Sequence, residues 1–264
     1  MVLIHIIVHS NIAVDMGSKR QKLFLILGGF FILNAMLAEF IGVKIISLEA
    51  NMGWQQINLL LFGSSFSFDL TAGVILWPVV FVMTDVINEH YGIKGVKFLS
   101  WLASALIVYA FIMVYFVIYL LPASWWLGSQ SQHGVPNMQM AFKAIFGQGL
   151  WIIVGSLLAF LVGQLLDAII FQKLKKMCSH KRLWLRATVS TLFSQFIDSY
   201  LVLFIAFYVG NNWDFQRVLA IGTGNYIYKF CIALLMIPFL YLVHWAIKKY
   251  LGTEQTETEN LIDT

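Results

Sequence analysis

Polar side chains recur at helical spacing inside the apolar stretches of this 264-residue chain. Asp85, Asn88 and Glu89 stand at i, i+3 and i+4, which puts them on one face of a helix. Gln164 and Asp167 are three apart, Gln195 and Asp198 are three apart, and Asn225 and Lys229 are four apart. Asn34, Glu39 and Lys44 punctuate an earlier run. Carboxylates only accept hydrogen bonds, ammonium groups only donate, and amides do both. Such groups are costly in hydrocarbon, so they normally face a bundle interior or a water-filled cavity. The chemistry they offer is recognition of a polar solute, or carriage of an ion or proton. An Asp198–Lys229 ion pair would lower the cost of burying either charge. Plainer roles compete. Lys44, Glu89, His90 and Asp167 lie near run ends, where side chains reach the headgroups. Gln195, Asp198, Asn225 and Lys229 are also of the types that glue helices together by hydrogen bonds.

Signals for covalent chemistry are weak. The sequence has no Gly-rich phosphate loop ending in Lys-Ser or Lys-Thr, no His-Glu-x-x-His and no paired-cysteine motif. Asp167 and Asp198 lack the Gly-rich flank wanted of an intramembrane aspartyl pair. His5, His9, His133, His180 and His244 are scattered. The expectation is a protein that is not an enzyme, with no cofactor and no metal. Cys178 and Cys231 read as two free thiols.

The elements that must position these groups are membrane-spanning helices. The chain is 60% hydrophobic and only 11% charged, where a soluble domain carries about 25% charged residues. Its mean hydropathy is +0.81. The apolar residues come in runs of roughly 20, the length that crosses a bilayer core as a helix. Six spans are expected, over 23–46, 70–87, 98–121, 149–171, 187–209 and 218–247. The short apolar stretch 58–62 reads as interfacial or re-entrant. With six spans, Lys19, Arg20, Lys22, Lys94, Lys97, Lys173, Lys175, Lys176, Lys181, Arg182, Arg186, Lys248 and Lys249 all fall on one side. The opposite loops hold Lys143 and Arg217. The positive-inside rule then places both termini in the cytoplasm. The net charge of +4 is thus a topology signal and does not indicate a nucleic-acid partner.

Residues 1–21 read as an N-terminal tail, with Met16 as an alternative start. Residues 22–250 form the transmembrane domain, and 251–264 read as a disordered acidic tail. Trp54, Trp125, Trp126 and Trp213 fit an interfacial aromatic belt. The long outer loop 122–148 is either a lid or a plain connector. Gly155, Ala159 and Gly163 form a small-residue stripe that suits close helix–helix contact.

Two stretches carry a family resemblance. Thr84-Asp85-Val86-Ile87-Asn88-Glu89-His90-Tyr91-Gly92 resembles the Asp-hydrophobic-Ile-Asn-Glu-x-Tyr/Phe-Gly signature of the queuosine precursor transporter family, also called the vitamin uptake transporter family. Ser194-Gln195-Phe196-Ile197-Asp198-Ser199 resembles its Ser-Gln-x-Ile-Asp-Ser/Thr signature. Asn225-Tyr226-Ile227-Tyr228-Lys229, with Pro238 and Tyr241, is similar to its last span, and Asn34 and Lys44 match polar positions of its first. The similarity extends over about residues 22–250.

The resemblance implies inner-membrane import of preQ0 or preQ1, the 7-deazaguanine precursors of the tRNA modification queuosine. It implies an all-α, polytopic membrane protein of six transmembrane helices, similar to the substrate-binding components of energy-coupling-factor transporters. A deazaguanine presents donors at N1 and the 2-amino group, an acceptor at O6 and a flat face. Asp198 or Glu39 would read the donor edge, and Gln195, Asn225 and Lys229 would serve O6 or the pyrrole nitrogen. Trp77 or Tyr226 would stack, with Asn34 nearby. Asp85, Asn88, Glu89, Gln164, Asp167 and Arg186 would form an inner gate or coupling group. A secondary transporter is the leading reading. A vitamin-type binding subunit with a separate ATPase module is the alternative. The bilayer, the 7-deazaguanine and a homodimeric copy are the expected partners.

Overall fold

The computed structural model describes residues 18–57, 59–147, 149–177 and 183–252. Residues 1–17 of the expected N-terminal tail, Cys178 with 179–182, and residues 253–264 of the acidic tail lie outside the described residues, whereas Lys19–Gln21 already belong to the first helix and Leu251 ends the last one. Five described segments are long and apolar enough to cross a membrane: Lys19–Ile41, Trp77–Ile118, Met138–Met177, Leu183–Val209 and Phe215–Leu235. The chain is a multi-pass helical membrane protein. The outer faces carry the matching signature. On helix α1 (Lys19–Ile41), Leu25, Ile26, Phe30 and Leu33 are exposed, while Phe31, Ala35 and Ala38 are buried. Ser18 caps this helix, its hydroxyl accepting from the Gln21 N–H at 3.2 Å.

The 42-residue segment α2 (Trp77–Ile118) is interrupted at Gly92, where φ is 68° and ψ is −177°. This conformation is essentially open only to glycine. Contacts with α1 show that the chain reverses there. The Arg20 guanidinium donates to the His90 carbonyl at 2.7 Å, and Gly73 abuts the Ala38 carbonyl at the other end. The arm 77–91 therefore runs opposite to α1. Beyond Gly92, Phe24 meets Phe98 and Phe40 meets Phe111 at 5.3 Å, so the arm 93–118 runs with α1.

Short α3 (Met138–Phe146) leads into α4 (Leu150–Met177). That helix packs along the first arm of α2 and meets α1 at the Phe31–Phe160 and Glu39–Ser156 contacts. Antiparallel to it lies α5 (Leu183–Leu203), continued by a π-helical stretch, Phe204–Val209. The small-residue stripe is the seam between them. A Cβ on Gly155 would lie 3.1 Å from the Val202 carbonyl oxygen. Helices α6 (Phe215–Leu235) and α7 (Ile237–Leu251) complete the bundle.

Several expected boundaries shift, each for a local reason. The first span stops at Ile41 rather than 46. Gly42 ends the helix, and the β-branched pair that follows enters strand β1 (Ile45–Ser47). This strand pairs antiparallel with β4 (Asp69–Thr71), Ile45 opposite Thr71. Lys44 is thus an exposed residue between the helix and the strand, beyond the end of the first span. The second span begins at Trp77 rather than 70, with Pro78 in its first turn. The stretch 58–62, expected to be interfacial or re-entrant, enters a hairpin, β2 (Leu59–Leu61) with β3 (Ser64–Phe66). Its turn residues Phe62 and Gly63 both have positive φ. The last span is broken at Met236, because Pro238 has no N–H to continue the ladder.

Candidate functional site

Toward the end of the bundle bearing the strands lies a cavity of about 490 Å³. This is within the usual range for small-molecule sites. Its walls come from α1, the start of α2, α4, α5 with its π-helical extension, and α6; Gly42, Ile45, Thr71, Ala144 and Gly147 from the connecting segments complete the lining. Glu39, Trp77, Asp198, Asn225 and Lys229 line it. The Ser156 hydroxyl donates to Glu39 Oε2 at 2.8 Å. Lys229 Nζ forms an ion pair with Asp198 Oδ2. Trp77 is held from behind by Phe160, ring centroids 5.7 Å apart. The arrangement presents carboxylates, an ammonium, an amide and a flat indole to one space. Such a set reads a planar heterocycle with both donors and acceptors on its edges.

Three expected binding residues lie elsewhere. Asn34 spends its amide on its own helix, donating to the Phe30 carbonyl at 2.8 Å. Tyr226 packs edge-on against Phe196. Neither lines the cavity. Gln195 faces a second, smaller pocket together with Asp85, and Trp77 and Lys229 border both spaces. One helical turn separates Gln195 from Asp198, so the shared stripe passes from one pocket into the other.

The residues expected at an inner gate converge at the opposite end. Glu89 is bridged by Lys175 at 3.2 Å and by Arg186 at 3.3 Å. The guanidinium of Arg186 is buried, lying 5.3 Å from the centre of the Phe171 ring. Asn88 donates to the Ala168 carbonyl at 3.1 Å and accepts from Gln172 at 2.7 Å. Thr84 donates to Gln164 at 2.5 Å. Asp167 accepts from Ser194 at 3.2 Å and from Thr191 at 3.4 Å. These bonds tie the first arm of α2 to α4, and α4 to α5.

Sequence reasoning did not single out Ser156, Gln172 or the hydroxyl groups around Asp167. One signal was available: Ser156 and Asp167 are eleven residues apart, close to three full turns, hence on nearly one face. Among the described residues no cluster suited to a metal ion occurs.

Outside the membrane segments, Glu49 is buried in a one-turn helix, Leu48–Asn51, that follows β1. It accepts from the Phe68 N–H at 2.9 Å and the Ser47 hydroxyl at 3.2 Å. Burial pulls its pKa upward, but the N–H groups of Phe68 and of Glu49 itself, the Ser47 hydroxyl and the N–H of Ile57 outweigh it, leaving the carboxyl below its ordinary range.

Comparison with known proteins bears on this polar bundle. The family model described as "Putative vitamin uptake transporter" matches residues 71–243. The chain belongs to this family. The vitamin uptake transporter match takes in both arms of α2, the Asp167 and Glu89 networks, the Asp198–Lys229 pair and the break at Pro238. A Bacillus subtilis (strain 168) protein named "Probable queuosine precursor transporter" is 31% identical over 181 residues, covering 67% of this chain and 72% of its own length. An Escherichia coli (strain K12) protein named "Queuosine precursor transporter" is 26% identical, over 67% of this chain and 74% of that one. A Haemophilus influenzae relative named like the Bacillus protein is 24% identical, over 66% and 67%. No solved structure matches the chain.

Proposed function

We propose that this protein imports the queuosine precursors preQ0 and preQ1 across the bacterial inner membrane as a secondary transporter. One observation carries the reading: a cavity of about 490 Å³ gathers Glu39, Trp77, Asp198, Asn225 and Lys229 from four helices. A 7-deazaguanine has complementary chemistry. Its N1 and 2-amino protons need a carboxylate, the role of Glu39 or Asp198. Its O6 accepts from Lys229 or Asn225, and its face stacks on Trp77. Discrimination follows from the cost of leaving such buried groups unpaired when the wrong base enters. The names of the relatives support the same substrate class.

In this reading the two arms of α2 are separate passes and α6 with α7 form one broken pass, making six. The end carrying Arg20, Lys175, Arg186 and Lys248 faces the cytoplasm, with both termini. The cavity then lies on the external side, and the Glu89–Arg186–Lys175 cluster closes the internal side.

The test is uptake of labelled preQ1 by cells unable to make it. Asp198→Asn and Lys229→Met, present in the membrane at parental amounts, are expected to lower uptake at least about ten-fold, a loss of roughly 1.4 kcal/mol. Parental uptake by both variants would reject the site. Transport by the purified protein alone in proteoliposomes is the expected result; dependence on an added ATPase module would reject the secondary mechanism.

A further inference from the structure

The smaller pocket adjoins the large cavity. Trp77 and Lys229 belong to the walls of both. Lys229 is held by Asp198, so the ion pair and the indole together form a partition. Below it, Asp85, Thr188, Thr191 and Gln195 face the small pocket. Gln195 is 2% exposed, yet neither its amide oxygen nor its amide nitrogen has a hydrogen-bond partner among the described residues. Asp85 Oδ1 and Thr188 Oγ1 are buried and unmatched in the same way. A buried polar group left unpaired typically costs about 1–3 kcal/mol. Four such atoms on the walls of one pocket are an unfilled recognition surface, with donors and acceptors side by side.

The pocket is now too small for a base. It holds about 30 Å³, room for roughly one water. Its remaining wall is the feature that can move. Met236 and Ile237 line it, and they mark the break between α6 and α7 that Pro238 enforces. A helix break at a pocket wall is a natural hinge.

We infer that this pocket is a second station for the same planar base, collapsed in this conformation and opened when α7 swings about the Met236–Pro238 break. The inference rests on the proposed transport reading. The base binds first in the large cavity. Breaking the Asp198–Lys229 contact and turning Trp77 admits it to Gln195, Thr188 and Asp85, from which it leaves toward the Glu89 end.

Two variants test this. Gln195→Leu removes the lower recognition group without touching the upper cavity. Equilibrium binding of labelled preQ1 to the detergent-purified protein should stay within about two-fold of parental, while proteoliposome transport falls at least about ten-fold. The second variant locks α7. His90 and His244 have ring centroids 5.2 Å apart, one on the first arm of α2 and one on α7. In a Cys178→Ser, Cys231→Ser background, His90→Cys with His244→Cys should crosslink under oxidation. The oxidised protein should bind preQ1 but not transport it, and reduction should restore transport. Loss of binding in Gln195→Leu, or transport by the crosslinked protein at the reduced rate, would overturn the second station. If the parental protein neither binds nor transports preQ1, the functional reading itself fails and the inference with it.

Discussion

At the residue scale, the buried polar atoms divide into those already satisfied and those free to meet a ligand. Asp198 and Lys229 satisfy each other, which makes their burial tolerable but exposes the pair to damage by single substitution. The doubly neutralised protein, Asp198→Asn with Lys229→Met, should therefore be at least as stable in a detergent unfolding titration as either single variant, while its uptake stays low. Glu49 makes a different case, because its hydrogen bonds hold a loop and not a ligand. Its folded pKa lies below its ordinary value of 4.5. The stabilisation it gives is therefore complete above about 4.5 and is lost as pH falls through the lowered folded value. Limited proteolysis in the 47–68 loop should accelerate as pH drops through that window, and Glu49→Gln should remove the dependence. A pH-independent loop in the parental protein would contradict this assignment.

At the element scale, one glycine reverses the chain. Gly92 occupies a conformation that a side chain disfavours by about 1–3 kcal/mol. Gly92→Ala should destabilise the detergent-solubilised protein by that amount in an unfolding titration. Gly29→Ala, in the exposed interior of α1 with nothing near its Cβ, should be neutral or mildly stabilising. Equal effects at the two positions would show that the reversal does not depend on Gly92. The helices were largely legible in the sequence, because runs of about 20 apolar residues have few alternatives in a bilayer. Their ends were not. Apolar β-branched residues such as Ile45 and Ile46 read alike in a span and in a strand, and only the pairing with 69–71 decides. The site was legible in part. Spacing along one helix put Gln195 with Asp198, but it cannot say that a partition from other helices, Trp77 and Lys229, falls between them. Residue type and span alone point Tyr226 and Asn34 to the site, but packing turns both away from the cavity.

At the scale of the whole molecule, the two ends differ in charge and in architecture. One end carries Arg20, Lys175 and Arg186 about Glu89 and His90. The other carries short strands, a hairpin and the mouth segments of the cavity. This asymmetry predicts the orientation. In a cysteine-free background, Ser129→Cys should react with a membrane-impermeant thiol reagent in intact cells, and Lys94→Cys only after permeabilisation. The reverse pattern would invert the proposed direction of access. The most direct test of the whole account is calorimetric titration of preQ1 into the purified parental protein and its Asp198→Asn variant. Saturable one-to-one binding, weakened at least about ten-fold by the substitution, is the predicted result; no binding to the parental protein, or equal binding to both, would contradict it.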